Sequence, residues 1–255
     1  MKTVNRLLLP IVFFFPATII GHAQTSGIEE LRKEVDELKR GQDAIQKQLQ
    51  EILRLLNQRD EKIVRPQVVD LTGQPFKGSP DSKLVMIEFS DYQCPYCARY
   101  FQNTSPQLEK EYVEPGEIAY YFMDMPLEAL HKDAFNAALA ANCADEQGQF
   151  WAMHDLLFKN RAALGPEDLK SYASSLDLDL ERFDACFADK KTAAKIRGDL
   201  STADLIGAQG TPNFWFGLRD GDEPNKVKLV QNIRGAQPYE QFKKVIDGLL
   251  EGEKP

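Results

Sequence analysis

Leu84-Val85-Met86-Ile87-Glu88-Phe89-Ser90-Asp91-Tyr92-Gln93-Cys94-Pro95-Tyr96-Cys97 passes from an apolar run with one acid inside it to two cysteines three apart. The run Leu84 to Phe89 reads as a buried strand. The cysteines then open a helix. Pro95 suits the first helical position, because it has no N–H to leave unpaired there. Cys94 stands at the helix N-terminus, where free N–H groups and the positive end of the dipole favour a thiolate. A lowered pKa makes it the attacking sulfur at neutral pH. Cys97, one turn in, is the more shielded, resolving thiol. Two cysteines so placed can form and break a disulfide with little backbone movement. Haem attachment would need a histidine after the second cysteine, and residue 98 is alanine. A zinc site would need two further ligands, and Cys143 and Cys186 form no second CxxC pair. A purely structural bridge over so short a loop constrains little of the unfolded chain. A redox-active pair is therefore expected, with no metal and no cofactor.

Downstream, Ile118–Phe122 reads as another strand, and residues 131–207 as a helical block with breaks at Gly148 and Gly165-Pro166. Asn213–Phe216 and Val227–Val230 read as two more strands around a Gly/Asp/Pro turn. Pro238-Tyr239-Glu240 opens a final helix to about Leu250. Upstream, Val68-Val69 is a short strand, followed by turn chemistry at Gly73-Gln74-Pro75 and Gly78-Ser79-Pro80. This order predicts an α/β domain over residues 65–130 and 208–255, with a helical insertion at 131–207.

Ahead of Pro66 the composition changes. Ile28, Leu31, Val35, Leu38, Ile45, Leu49, Ile52, Leu56 and Ile63 follow a 3-4 spacing, with Gln42 and Arg59 at the remaining seam positions. Glu29–Lys33, Asp36–Arg40 and Asp43–Lys47 are acid-before-base pairs four apart, which support a helix. Residues 24–64 are expected to be a coiled-coil oligomerisation stalk. Leu49 followed by Ile52, widened by Leu53 and Leu55, favours three or four strands, and a homotrimer is the expectation. Residues 1–23 read as an export signal: Lys2 and Arg6, the apolar run Leu7 to Ile20, then Gly21-His22-Ala23. Pro10 and Pro16 argue against a spanning helix. An exported, periplasmic protein is expected. The formal charge of −8 argues against a nucleic-acid partner, which needs a local Lys/Arg excess.

The segment Glu88 to Cys97 resembles the active-site segment of the DsbA-like thioredoxin-fold proteins. Cys143-Ala144-Asp145-Glu146-Gln147-Gly148-Gln149-Phe150-Trp151 resembles their helical insertion, Gly210-Thr211-Pro212 their cis-proline loop, and Ile233-Arg234-Gly235-Ala236 a late strand end. With a stalk in front, the chain is similar to the trimeric, ScsC-like isomerase branch. The resemblance implies a thioredoxin fold with an all-helical insertion. It implies Cys94 as nucleophile, Cys97 as resolving cysteine, Glu88 as the buried acid that takes the proton of Cys97, and Pro212 as a cis-proline facing them. Thr211, Pro212, Pro95 and Tyr96 would then meet substrate, an extended strand pairing with the backbone of Thr211. Strong oxidases of the family carry histidine where this chain has Tyr96. A phenol supplies no positive charge, so the reduced form is less stabilised and the couple less oxidising. Thr211 also resembles the isomerases.

In an exported protein Cys143 and Cys186 are expected to form a structural disulfide, as some relatives carry within the insertion. His131 reads as a helix-start residue and His154 as a half-buried helix residue. The expected function is a disulfide isomerase or reductase acting on cysteine-containing exported proteins. A DsbD-like reductant or a DsbB-like oxidant in the membrane would be its redox partner. The alternatives are a DsbA-like dithiol oxidase and, in another class, a holdase or copper-handling module.

Overall fold

A computed structural model describes residues 20–62, 68–219 and 223–252. Most of the export signal reading, the seam position Ile63 and the helix stop at Pro66 lie outside the described residues. The chain divides into two compact units, Met1–Val64 and Arg65–Pro255.

In the first unit, α1 spans Ile20–Lys62. Within it the seam residues Leu31, Val35, Leu38, Ile45, Leu49 and Ile52 are all exposed. The side chains of Ile28, Leu53, Leu55, Leu56 and Arg59 lie outside the described residues. Among the described residues no helix is long and apolar enough to cross a membrane.

The second unit is built on a six-stranded mixed sheet. Its strands are β1 (Val68–Asp70), β2 (Phe76–Lys77), β3 (Leu84–Ser90), β4 (Ile118–Asp124), β5 (Asn213–Arg219) and β6 (Lys226–Arg234), in the spatial order β1-β6-β5-β3-β4-β2. β3 runs parallel to β4, and the other pairs are antiparallel. Every residue of β3 and β4 is buried, because helices cover both faces of this centre. Alternation splits β3 accordingly. Val85, Ile87 and Phe89 pack with Ala203 and Ile206 on one face, while Leu84 and Met86 pack with Tyr100, Phe214 and Phe242 on the other. Glu88 has the parity of Leu84 and Met86, so it points to the face that also carries the cysteine helix. Gly217, where the β5–β6 register shifts, has no room for a side chain: a Cβ would come within 2.3 Å of Val227 Cγ1.

The helices are α2 (Pro95–Asn103), α3 (Ser105–Leu108) leading into a π-helical turn (Glu109–Val113), α4 (Ala134–Asp145), α5 (Phe150–Lys159), α6 (Pro166–Ser175), α7 (Leu180–Phe187), α8 (Lys190–Ile206) and α9 (Tyr239–Leu250). The strand β2 was not foreseen, because two residues inside a turn-rich stretch carry no periodicity. The helical block also has more breaks than glycine and proline mark. Asp179 and Asp189 cap α7 and α8 by accepting backbone N–H bonds, Asp179 from Glu181 and Arg182 and Asp189 from Lys191. The insertion is bridged by a disulfide between Cys143 of α4 and Cys186 of α7. A buried polar chain fastens it to the sheet: Lys195 Nζ donates to Asn142, Asn142 to Asp124, and Asp199 accepts from the Asp124 N–H and from Gln74.

Candidate active site

β3 ends at Ser90, and four residues later Cys94 is the N-cap of α2 with extended backbone (φ −69°, ψ 125°). Pro95 occupies the first helical position, and no side chain caps the helix from the Cys94 position itself. The turn is instead organised by Asp91, whose side chain is fully buried. Its Oδ1 accepts from the N–H groups of Gln93 (2.7 Å) and Cys94 (3.2 Å). Its Oδ2 accepts from Leu127 N–H (2.8 Å) and lies 2.8 Å from His131 Nδ1. Gln93 is paired both ways with Asp133, and its carbonyl accepts from Arg161 Nη1 at 3.1 Å.

The two sulfurs are not equivalent. Cys94 is 4% exposed and Cys97 0%. The thiol of Cys97 donating to Cys94 is the largest influence on Cys94. With help from Thr211 and the N–H groups of Cys97 and Tyr96, it holds Cys94 down at about 5 against its burial. Burial and the neighbouring Cys94 push Cys97 well above the usual thiol range, and the charge of Glu88 adds to this. Glu88 lies beneath them on β3, 1% exposed. Burial raises its carboxyl to about 7, although the hydroxyls of Ser90 and Tyr120 act in the opposite sense. Tyr120 OH donates to Glu88 Oε2. A thiol held well below its usual range, a thiol pushed above it and an acid that titrates near neutrality therefore share one site.

The Thr211–Pro212 peptide bond is cis, and Thr211 O lies 3.6 Å from Cys94 Sγ. Pro95 is exposed, as is Tyr96, whose ring lies under the Arg99 guanidinium at 5.1 Å. The fold thus gathers Cys94, Cys97, Glu88, Pro95, Tyr96, Thr211 and Pro212 at one end of the sheet, and keeps Cys143 and Cys186 apart as a bridge in the insertion. His154 corrects the half-buried reading. It is 3% exposed, ringed by Tyr92, Phe101, Phe122, Phe150, Trp151 and Phe158, and burial lowers its pKa. His131 precedes α4 and reaches the active-site turn, a role its position in sequence does not betray. Asp91, His131 and Arg161 were missed. Only Asp91 carried a signal, an Asp three residues before a helix-opening cysteine.

A thioredoxin family profile matches residues 70–247. Among curated proteins, the chain is 36% identical over 162 residues to the Na(+)/H(+) antiporter NhaA 3 of Salinispora tropica, a match covering 64% of this chain and 24% of that one. The chain spans about a quarter of the length of the curated relatives it matches. Among solved structures, BdbD from Bacillus subtilis superposes with a TM-score of 0.61 at 23% identity, covering 74% of this chain and 99% of that one. The catalytic domain of Proteus mirabilis ScsC superposes with a TM-score of 0.56 at 21% identity, covering 78% and 98%.

Proposed function

The chain belongs to the thioredoxin family, in the DsbA-like form of its fold, and from that footing we propose that it is a thiol:disulfide oxidoreductase of exported proteins, working as a disulfide isomerase or reductase. The observation that carries this reading is the unequal thiol pair above Glu88. The Cys94 thiolate attacks a substrate disulfide, forming a mixed disulfide and releasing one substrate thiolate. In isomerisation another substrate thiolate attacks the mixed disulfide and restores Cys94. In reduction Glu88 takes the proton of Cys97, whose sulfur attacks Cys94, forms the Cys94–Cys97 disulfide and releases the second substrate thiolate. The Thr211 backbone stands beside Cys94, its carbonyl oxygen 3.6 Å from the sulfur, which suits pairing with an extended substrate strand. Scrambled ribonuclease is the test substrate: the reduced chain should restore its activity, and failure to do so would remove the isomerase reading.

A dithiol oxidase is the second reading, and the depth of the Cys94 thiolate favours it, because a stabilised reduced form makes a stronger oxidant. Tyr96 in place of a cationic residue weighs against it. The reduction potential separates the two: a value in the range of protein disulfide isomerase, roughly −180 mV, supports the isomerase, and one near −120 mV the oxidase.

The Glu88→Gln variant should resolve mixed disulfides about 100-fold more slowly at pH 8. The sign follows from Glu88 acting as a base: the wild-type rate should climb as pH rises through about 7, and the variant should lose that climb. Stopped-flow fluorescence across pH 5.5–8.5 measures it.

Residues 24–64 act in this proposal as a trimeric stalk, with their apolar seam buried between copies. Linking three sites raises the effective concentration of a second Cys94 near a misfolded client. Light scattering should give three chains for residues 24–255 and one for a version lacking 24–63. A monomeric mass for the longer form would exclude the stalk. The proposed compartment is the periplasm, where a DsbD-like reductant or a DsbB-like oxidant would set the resting redox state.

A further inference from the structure

The active-site turn contains a problem of charge. Asp91 is buried, and its Oδ1 accepts the N–H of Cys94 itself, so a carboxylate stands against the residue that must carry a thiolate. Asp133 adds a second acid through Gln93. Residue 96, a tyrosine, offers no compensation, and Arg99 is turned away, bonded to the Ala236 carbonyl and stacked over Tyr96. His131 is engaged by Asp91, and Lys132 is 87% exposed beside Asp133.

One cation is differently placed. Arg161 follows α5 in the helical insertion, is half-buried, and donates to the carbonyl of Gln93, the residue immediately before Cys94. Among the described residues no carboxylate forms an ion pair with it. Its charge is thus left available to the turn, in a half-buried setting where charge–charge interactions exceed those in bulk water.

We propose that Arg161 is a positioning residue for Cys94: it fixes the Gln93 carbonyl and supplies the insertion's positive charge to the turn when the neighbouring sulfur is a thiolate. The inference rests on the reading of Cys94 as the nucleophile. It also gives the helical insertion a part in tuning the redox pair.

Lysine and glutamine at this position separate charge from hydrogen bonding. Arg161→Gln keeps a donor for the Gln93 carbonyl and loses the charge, whereas Arg161→Lys keeps both. The full-length wild type and the two variants would be equilibrated with glutathione, the protein disulfide and two glutathione thiols giving the protein dithiol and one glutathione disulfide. The Cys94 thiolate would be titrated in parallel by its ultraviolet absorbance. Arg161→Gln should shift the exchange constant about fivefold toward the protein disulfide and move the thiolate midpoint to higher pH. Arg161→Lys should stay within about twofold of wild type. Wild-type values for Arg161→Gln, or equal shifts in both variants, would overturn the proposal. A wild type with no reversible couple against glutathione would remove the oxidoreductase reading instead, and the three thiolate midpoints would still decide the part played by Arg161.

Discussion

Replacing Cys94 by alanine is expected to reduce thiol–disulfide exchange by at least about a hundredfold. Cys97 cannot substitute for it. With Cys94 held down at about 5, nearly all of it is thiolate at pH 7, whereas burial keeps Cys97 in the neutral thiol form. Access points the same way, since Cys97, in the first turn of α2, is completely buried. The variant should still fold, because an alanine at the N-cap retains the Asp91 bond to its backbone N–H. Two measurements check this. Recovery of scrambled ribonuclease should fall to background in Cys94→Ala. Brief alkylation of the reduced native wild type at pH 6 should label Cys94 and leave Cys97 unmodified until denaturant is added. Equal recovery by the two proteins, or labelling of Cys97 first, would overturn the assignment of the nucleophile.

Removing the second cysteine pair should act on stability. Cys143 and Cys186 are 43 residues apart, and closing a loop of that length restricts the unfolded chain by about 4 kcal/mol in the chain-entropy model. Domains of this kind have about 5–15 kcal/mol in total, so the loss is a large share. The bridge also packs within the core it staples: both sulfurs lie among the buried side chains of α4, α5, α6 and α7, with Phe183, Leu169 and Ala173. A Cys143→Ser/Cys186→Ser double variant would add two hydroxyls to that core, so Cys143→Ala/Cys186→Ala is the cleaner probe. Its urea midpoint should drop accordingly. Its Cys94 reactivity in the folded state should be little changed, because the bridge joins α4 to α7 within the insertion. Unchanged stability would mean that helix packing alone holds the insertion. Complete loss of Cys94 reactivity while folded would mean that the bridge shapes the site.

How much of this was legible beforehand follows from the range over which each signal acts. Leu84–Cys97 announced a buried strand running into a helix with a sulfur at its mouth, because burial runs, proline at the first helical position and cysteine spacing all operate within a few residues. Glu88 could be placed on a buried strand for the same reason. Its companions could not, since Tyr120 is 32 residues away and reaches Glu88 only because β3 and β4 pair in the register that sets Glu88 beside Phe122. The insertion was readable as helical from its composition. Its division into five helices was not, because two of the breaks rest on aspartate caps and carry neither glycine nor proline.

By itself, then, the sequence determined the α/β class, the placement of two thiols at a helix mouth, and an acid on the buried strand below. These depend on local backbone chemistry and on which residues avoid water. Only the tertiary structure decided what surrounds the Cys94 sulfur. His131 meets Asp91 across 40 residues, and Arg161 meets Gln93 across 68. Such contacts are chosen by how the insertion packs onto the sheet, and no periodicity or spacing along the chain encodes which distant charge will be set down beside a thiolate.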